Sequence, residues 1–182
     1  MRSIYKIVVC SLLTLSITSC EKDLLEKEQY QKEIYLIGAY NRVWTTEVSY
    51  SNEEVKTYFT VSSSGTLALD RDVNVKMKIN EELVDIYNKK YWTVLNEDKY
   101  YKSLDTDLYS IPSLENTVIK HAEGISAEVP VLIKTASLKI DQSYVIPVEI
   151  ESTTGYPISE SGYKMLILLK LKNDYSGSYQ MS

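Results

Sequence analysis

Val73-Asn74-Val75-Lys76-Met77-Lys78-Ile79 alternates apolar and polar residues without a break. Successive side chains on a strand point to opposite faces. Val73, Val75, Met77 and Ile79 therefore share one face, and Asn74, Lys76 and Lys78 share the other. This is the pattern of a half-buried strand. Val55-Lys56-Thr57-Tyr58-Phe59-Thr60-Val61 repeats it, with Val55, Thr57, Phe59 and Val61 inward, and Ser62-Ser63-Ser64-Gly65 follows as a turn. Further strands are predicted over 34–39, 117–121, 125–134, 144–150 and 163–172. The last is apolar on both faces, with Met165, Ile167, Leu169 and Leu171 on one and Leu166 and Leu168 on the other. A central strand covered on both sides has that composition. Pro130 and Pro147 fall inside predicted strands. Proline donates nothing to a ladder, so both are expected at edges or bulges.

One helix interrupts the strands. Asn80 is its expected cap, Glu81 and Glu82 suit the positive N-terminal end, and Lys89 and Lys90 suit the negative C-terminal end. Leu83, Val84, Ile86, Tyr87 and Tyr91 make its expected apolar side. Strand edges marked by proline favour a sandwich over a closed barrel. The expected fold is mostly β, an immunoglobulin-like β-sandwich with one short inserted helix.

The N-terminus has a different pattern. Arg2 and Lys6 precede an apolar run from Ile7 to Ile17, too short for a membrane-spanning helix. A basic start, a short apolar middle and a small-residue exit describe a signal peptide. The exit, Ile17-Thr18-Ser19-Cys20, resembles the lipobox of bacterial lipoproteins. The resemblance implies cleavage between Ser19 and Cys20 and transfer of diacylglycerol to the Cys20 thiol, the nucleophile that this chemistry needs. Two or three acyl chains hold stably where one holds marginally. Residues 1–19 are thus the expected signal, 20–32 a lipidated cysteine and charged tether, 33–173 the sandwich, and 174–182 a tail. The alternative is a plain signal peptide with an incidental cysteine. Glu21 and Asp23 beside Cys20 are similar to the signal that sends Bacteroidota lipoproteins to the outer face of the outer membrane.

Charge narrows the partners. The chain of 182 residues has 20 Lys and Arg against 25 Asp and Glu, a formal charge of −5. Removing Met1–Ser19 takes away Arg2 and Lys6, so the remainder stands at −7. An acidic chain without a basic block is a poor partner for nucleic acid. Of two cysteines, Cys10 leaves with the signal and Cys20 takes lipid, so neither disulfide nor thiol chemistry is expected in the domain.

The order of segments resembles a known family. Val73–Ile79 runs into Asn80-Glu81-Glu82-Leu83-Val84-Asp85-Ile86-Tyr87-Asn88, then Tyr109-Ser110-Ile111-Pro112. Val129–Lys134, Tyr144-Val145-Ile146-Pro147-Val148-Glu149-Ile150 and Asn173-Asp174-Tyr175-Ser176-Gly177-Ser178-Tyr179 follow. This is similar to the immunoglobulin-like N-terminal domain of Bacteroidota surface lipoproteins, a domain of unknown function. The same domain fronts some family-eighteen endo-β-N-acetylglucosaminidases. The resemblance implies a sandwich module of glycan-utilisation systems beside SusC/SusD-like proteins of the outer membrane. It carries over no catalytic residue, because the hydrolases do their chemistry in a separate barrel. Longer relatives continue past the Tyr175–Tyr179 piece into a second domain, whereas this sequence ends at Ser182.

Candidate chemistry is sparse. There is no nucleotide-binding loop, no G-x-S-x-G elbow and no H-E-x-x-H helix. No cofactor, metal or catalytic residue is expected, and the chain is read as no enzyme. His121 is the only histidine and reads as a strand-end surface residue. Glu53-Glu54, Glu81-Glu82 and Asp105-x-Asp107 are acid pairs. Glycosidases need two carboxylates, but these sit in an expected turn, helix start and solvated loop. The tyrosines stand out, with 16 against one Phe. Tyr87, Tyr91, Trp92, Tyr100, Tyr101 and Tyr109 crowd one segment with Asn96, Glu97 and Asp98. Tyrosine offers a flat apolar face and a hydroxyl. Tyr91, Trp92, Tyr100 and Tyr101 are the candidate ligand contacts, and Trp44, near an expected turn, is a second candidate. Sugar rings stack on such faces; equally, the rings serve to pack the helix onto the sandwich. Two functions follow: a lipid-anchored surface accessory that assists glycan capture, or a structural or adhesive subunit that binds protein through strand edges.

Overall fold

The computed structural model describes residues 27–172. The expected signal segment, Cys20, the start of the expected tether and the Asn173–Tyr179 piece lie outside the described residues.

Among the described residues ten strands form two sheets facing each other, with one α-helix. In chain order they are β1 (Ile34–Leu36), β2 (Val43–Ser49), β3 (Glu54–Ser63), β4 (Val73–Ile79) and α1 (Glu82–Tyr91). Then come β5 (Lys102–Ser103), β6 (Tyr109–Ser110), β7 (Thr117–Ile119), β8 (Ser126–Lys134), β9 (Tyr144–Thr153) and β10 (Lys164–Lys172). One sheet runs β1-β3-β8-β6 and the other β2-β10-β9-β4-β7, with β5 beside the start of β9. Every pairing is antiparallel except β2 with β10 and β5 with β9. The fold is a β-sandwich with one short helix.

The period-2 faces meet in the middle. Phe59, Val61, Val129, Val131 and Ile133 of one sheet pack on Val73, Val75, Met77, Ile146, Val148 and Ile167 of the other, all at most 1 % exposed. β10 lies between β2 and β9, and Leu166 on its outer face is buried under α1. The two-faced apolar pattern of that strand has its expected cause.

Three local expectations change. β1 stops at Leu36, because Gly38 adopts φ 89 and the chain turns to cross from one sheet to the other. The crossing delivers β2, which sequence alternation did not announce; only Val48 in it is buried. Trp44 stands in this strand opposite Ile167, just after the turn that precedes it, as expected. Its ring lies against Gly38, where an added Cβ would sit 2.5 Å from Trp44 Cε3.

Pro147 is neither on an edge nor at a bulge: β9 lies between β10 and β4. Ile79 pairs with Val148, so Asn80 faces Pro147. The Asn80 N–H donates to the Pro147 carbonyl (3.1 Å), and the return bond would need a proline N–H. The Asn80 carbonyl instead accepts the Leu83 N–H (3.1 Å) at the start of α1. The proline stands where its partner strand turns into a helix, so no ladder bond is lost. Pro130 lies where β8 pairs β3 on one side only, since β6 reaches just Leu132 and Ile133.

Candidate functional site

α1 begins where Asn80 Oδ1 accepts the Glu82 N–H (3.2 Å), an Asx-type start. It presses Val84 onto Val145 and Leu166, with Val43, Leu83, Tyr87, Tyr101 and Leu168 around them. The expected apolar side is only half right: Ile86 is 52 % exposed and Tyr91 49 %. Helix neighbours recur at i+3 and i+4, so the stripe through Val84 runs to Tyr87 and Asn88, and not to Ile86. Asn88 is 5 % exposed. Its Nδ2 donates to the Tyr101 carbonyl (2.9 Å) and its Oδ1 accepts the Tyr101 N–H (3.0 Å). One amide side chain thus acts as a strand partner for the segment after the helix. Sequence reading missed it, because a lone Asn in a polar-looking helix gives no signal of burial.

The tyrosines form a row. Tyr91 and Tyr87 have ring centroids 4.5 Å apart, and Tyr87 and Tyr101 stack at 5.2 Å and 11°. Burial, then the neighbouring Tyr101 hydroxyl, pushes the Tyr87 hydroxyl up to about 12. Burial, then the Glu81 charge, does the same for Tyr109. Of the candidate contacts, Tyr91 and Tyr101 are in this row, while Trp92 and Tyr100 have no ring contact with it among the described residues. Trp92 is half-buried at the helix C-cap, with Lys99 Nζ 5.6 Å from its ring centre. Tyr100 is held through its backbone, its carbonyl accepting from Gln142 Nε2 (3.5 Å). Tyr91 presents the most open face of the four.

Beside this row lies a groove of about 540 Å³ between α1, the 39–42 crossing and the start of β10. Its walls include Tyr40, Arg42, Tyr87, Glu160, Tyr163 and Lys164. Tyr87 belongs to both groove and row. Such a volume is in the range of small-molecule sites. Sequence reading missed the groove, since residues from three distant segments make it.

Other candidates are placed without converging. His121 Nδ1 lies 2.6 Å from Asp72 Oδ1 at the surface. Glu53, Glu54, Glu81, Glu82, Asp105 and Asp107 are exposed. Among the described residues no three His, Cys, Asp or Glu side chains gather as a metal-ligand set. No helix among them is long and apolar enough to cross a membrane.

Glu28 and Lys32, at the end of the expected tether, contact the domain. Glu28 accepts the Thr66 N–H (2.6 Å) and Leu67 N–H (3.2 Å) and pairs with Lys32 (2.5 Å). Ser64 bonds Glu33 in both directions through its backbone and hydroxyl.

A family model described as a "-like, N-terminal domain" matches residues 30–157. The chain belongs to this family, an N-terminal domain of unknown function in Bacteroidota. No curated protein matches it. Among solved structures it is similar to an auxiliary nutrient binding protein of Bacteroides thetaiotaomicron, with TM-score 0.60 and 16 % identity over 77 % of this chain and 47 % of that one. It is also similar to a protein of Bacteroides ovatus provisionally described as carbohydrate binding, with TM-score 0.58 and 18 % identity over 76 % of this chain and 36 % of that one. A third is EndoBT-3987 of Bacteroides thetaiotaomicron, solved with a Man5GlcNAc product, with TM-score 0.54 and 20 % identity over 76 % of this chain and 30 % of that one. The chain spans less than half the length of each. At these identities the likeness is one of fold.

Proposed function

We propose that this chain is a non-enzymatic accessory of carbohydrate capture. We place it at the outer membrane by lipid on Cys20, facing outward, beside SusC/SusD-like proteins. The observation that carries the reading is the groove: tyrosines and charged groups line one cleft of about 540 Å³. Saccharides present apolar ring faces and many hydroxyls, so they suit flat aromatic faces rimmed by polar groups. The fold shared with proteins described as carbohydrate or nutrient binding supports it. Tyr91, whose ring meets that of the groove residue Tyr87, extends the aromatic surface out of the groove.

The test is a broad glycan array probed with the full chain. Binding to at least one oligosaccharide, weakened by Tyr91→Ala, is expected; no binding across the array overturns the function. The anchor has its own test. Cys20→Ala should leave the native precursor unprocessed or release it from membranes, and unchanged fractionation would contradict it.

A second reading rests on one edge. β1, β6 and β7 are edge strands of two or three residues, but β2 offers seven with no strand on its outer side among the described residues. A long open edge is a template for another strand. A stoichiometric protein partner captured without sugar, and lost when Thr45 becomes proline, would favour an adhesive or structural role.

A further inference from the structure

The strongest local anomaly of the described chain sits in the groove wall. Arg42 has φ 62, and among the described residues it is the one non-glycine in the left-handed region. That backbone costs an L residue about 1–2 kcal/mol, and Gly or Asn would adopt it with less strain. The crossing between sheets explains the backbone: the Arg42 N–H donates to the Ala39 carbonyl (2.8 Å), and its own carbonyl accepts the Leu166 N–H (2.8 Å). It does not explain the side chain. Strain retained by a residue that is not needed for the turn points to a role for that residue.

Arg42 also carries an unpaired charge, as Lys89, Lys102 and Lys139 do among the described residues, but of these only Arg42 lines the groove. Arg71 grips Asp70 with two bonds of 3.0 and 2.9 Å. Lys76, Lys120 and Lys172 each hold a carboxylate. Arg42 is exposed and has no acidic or carbonyl acceptor among the described residues, in a chain where acids outnumber bases. A second cation, Lys164, lines the same groove and is only loosely paired, 3.9 Å from Glu149. Tyr40, 88 % exposed, stands beside Arg42.

We propose that this groove takes a carboxylate-bearing saccharide, of the uronic or sialic acid kind. Arg42 receives the carboxylate, a tyrosine ring of the groove receives the sugar face, and Glu160 and Ser161 take hydroxyls. A guanidinium fork matches a planar carboxylate with two parallel bonds, which a lone ammonium does not reproduce. Lys164 adds positive potential without a second fork. This deepens the carbohydrate reading above and rests on it.

The experiment is calorimetry on the full chain with trigalacturonate and 3′-sialyllactose against maltotriose and lactose. At low salt one acidic ligand should bind at least about tenfold tighter than its neutral counterpart, an advantage that salt erodes. Arg42→Gly keeps the backbone and removes the charge. It should abolish the acidic preference while leaving the melting temperature unchanged or higher, and Arg42→Lys should restore only part. Arg42→Asn, which also tolerates this backbone, guards against a folding artefact. Equal binding of acidic and neutral sugars by the wild type, or an acidic preference that survives in both Arg42→Gly and Arg42→Asn, overturns this inference and leaves the carbohydrate reading standing. Binding of no saccharide at all removes both.

Discussion

The interior of the sandwich and the excursion from Asn80 to Tyr109 are held in different ways. Between the sheets, burial follows alternation: Val73, Val75 and Met77 are within 1 % of full burial, and Asn74, Lys76 and Lys78 are exposed. In the excursion, a single buried valine, one buried amide and three tyrosine rings attach α1, while Leu104, buried in the main core, and the pairing of β5 with β9 hold the segment after it. The first region is stabilised by area removed from water. The second depends on a few directional contacts, which leaves Ile86 and Tyr91 facing solvent beside a groove. The fold keeps its stability in one region and its open surface in the other.

The comparison breaks most visibly at Phe59. Phe59→Ala should cost about 3–5 kcal/mol of unfolding free energy through lost transfer and a cavity, read from the urea midpoint at constant slope. A cost under about 1 kcal/mol would deny that the sandwich interior is the stabilising region.

Asn88→Ala comes next. It orphans the N–H and the carbonyl of Tyr101, at about 1–3 kcal/mol for each buried group left unpaired. Amide exchange should quicken from Glu82 to Ser103 while β3 and β8 stay protected. Faster exchange throughout the chain would show the two regions to be one cooperative unit.

A smaller effect concerns the tether. The Lys32 ammonium and the Thr66 N–H hold the Glu28 carboxyl down to about 2. A carboxylate lowered on folding contributes in full above its ordinary value of 4.5 and loses that contribution as pH falls toward about 2. The Thr66 and Leu67 amide shifts should therefore titrate below pH 4.5, and in Glu28→Gln they should not. Because the group is at the surface, the midpoint of global unfolding should barely move.

Ile86→Ala is the smallest. An exposed helix residue away from caps and core changes stability by under about 0.5 kcal/mol. A loss above 1.5 kcal/mol would mean that Ile86 is covered, as simple helix amphipathicity suggested.

These contrasts also mark where sequence was informative. Strands with one wet face were legible, since alternation and burial are the same fact seen twice. β10 was legible as a central strand from Leu166 and Leu168. β2 was not, because Trp44, Thr45 and Glu47 of an edge strand face solvent and leave no apolar rhythm. Pro147 misled, since the ladder bond that it cannot make is replaced by a helix start sixty-odd residues away in sequence. The tyrosine cluster was visible as composition, yet its geometry was not: Tyr101 is bound to Asn88, Trp92 is half-buried, and the groove draws on Tyr40, Arg42 and Glu160 from other segments. Groups that converge only through tertiary structure leave no spacing to read.

The most direct test of the account is an amide shift map of the isotope-labelled chain, titrated with whichever oligosaccharide the array returns. The account predicts perturbations at Arg42, Tyr87, Glu160 and Lys164, fading along Tyr91, with the β1-β3-β8-β6 sheet silent. Perturbations confined to that sheet or to the outer edge of β2, with the groove unmoved, would contradict it.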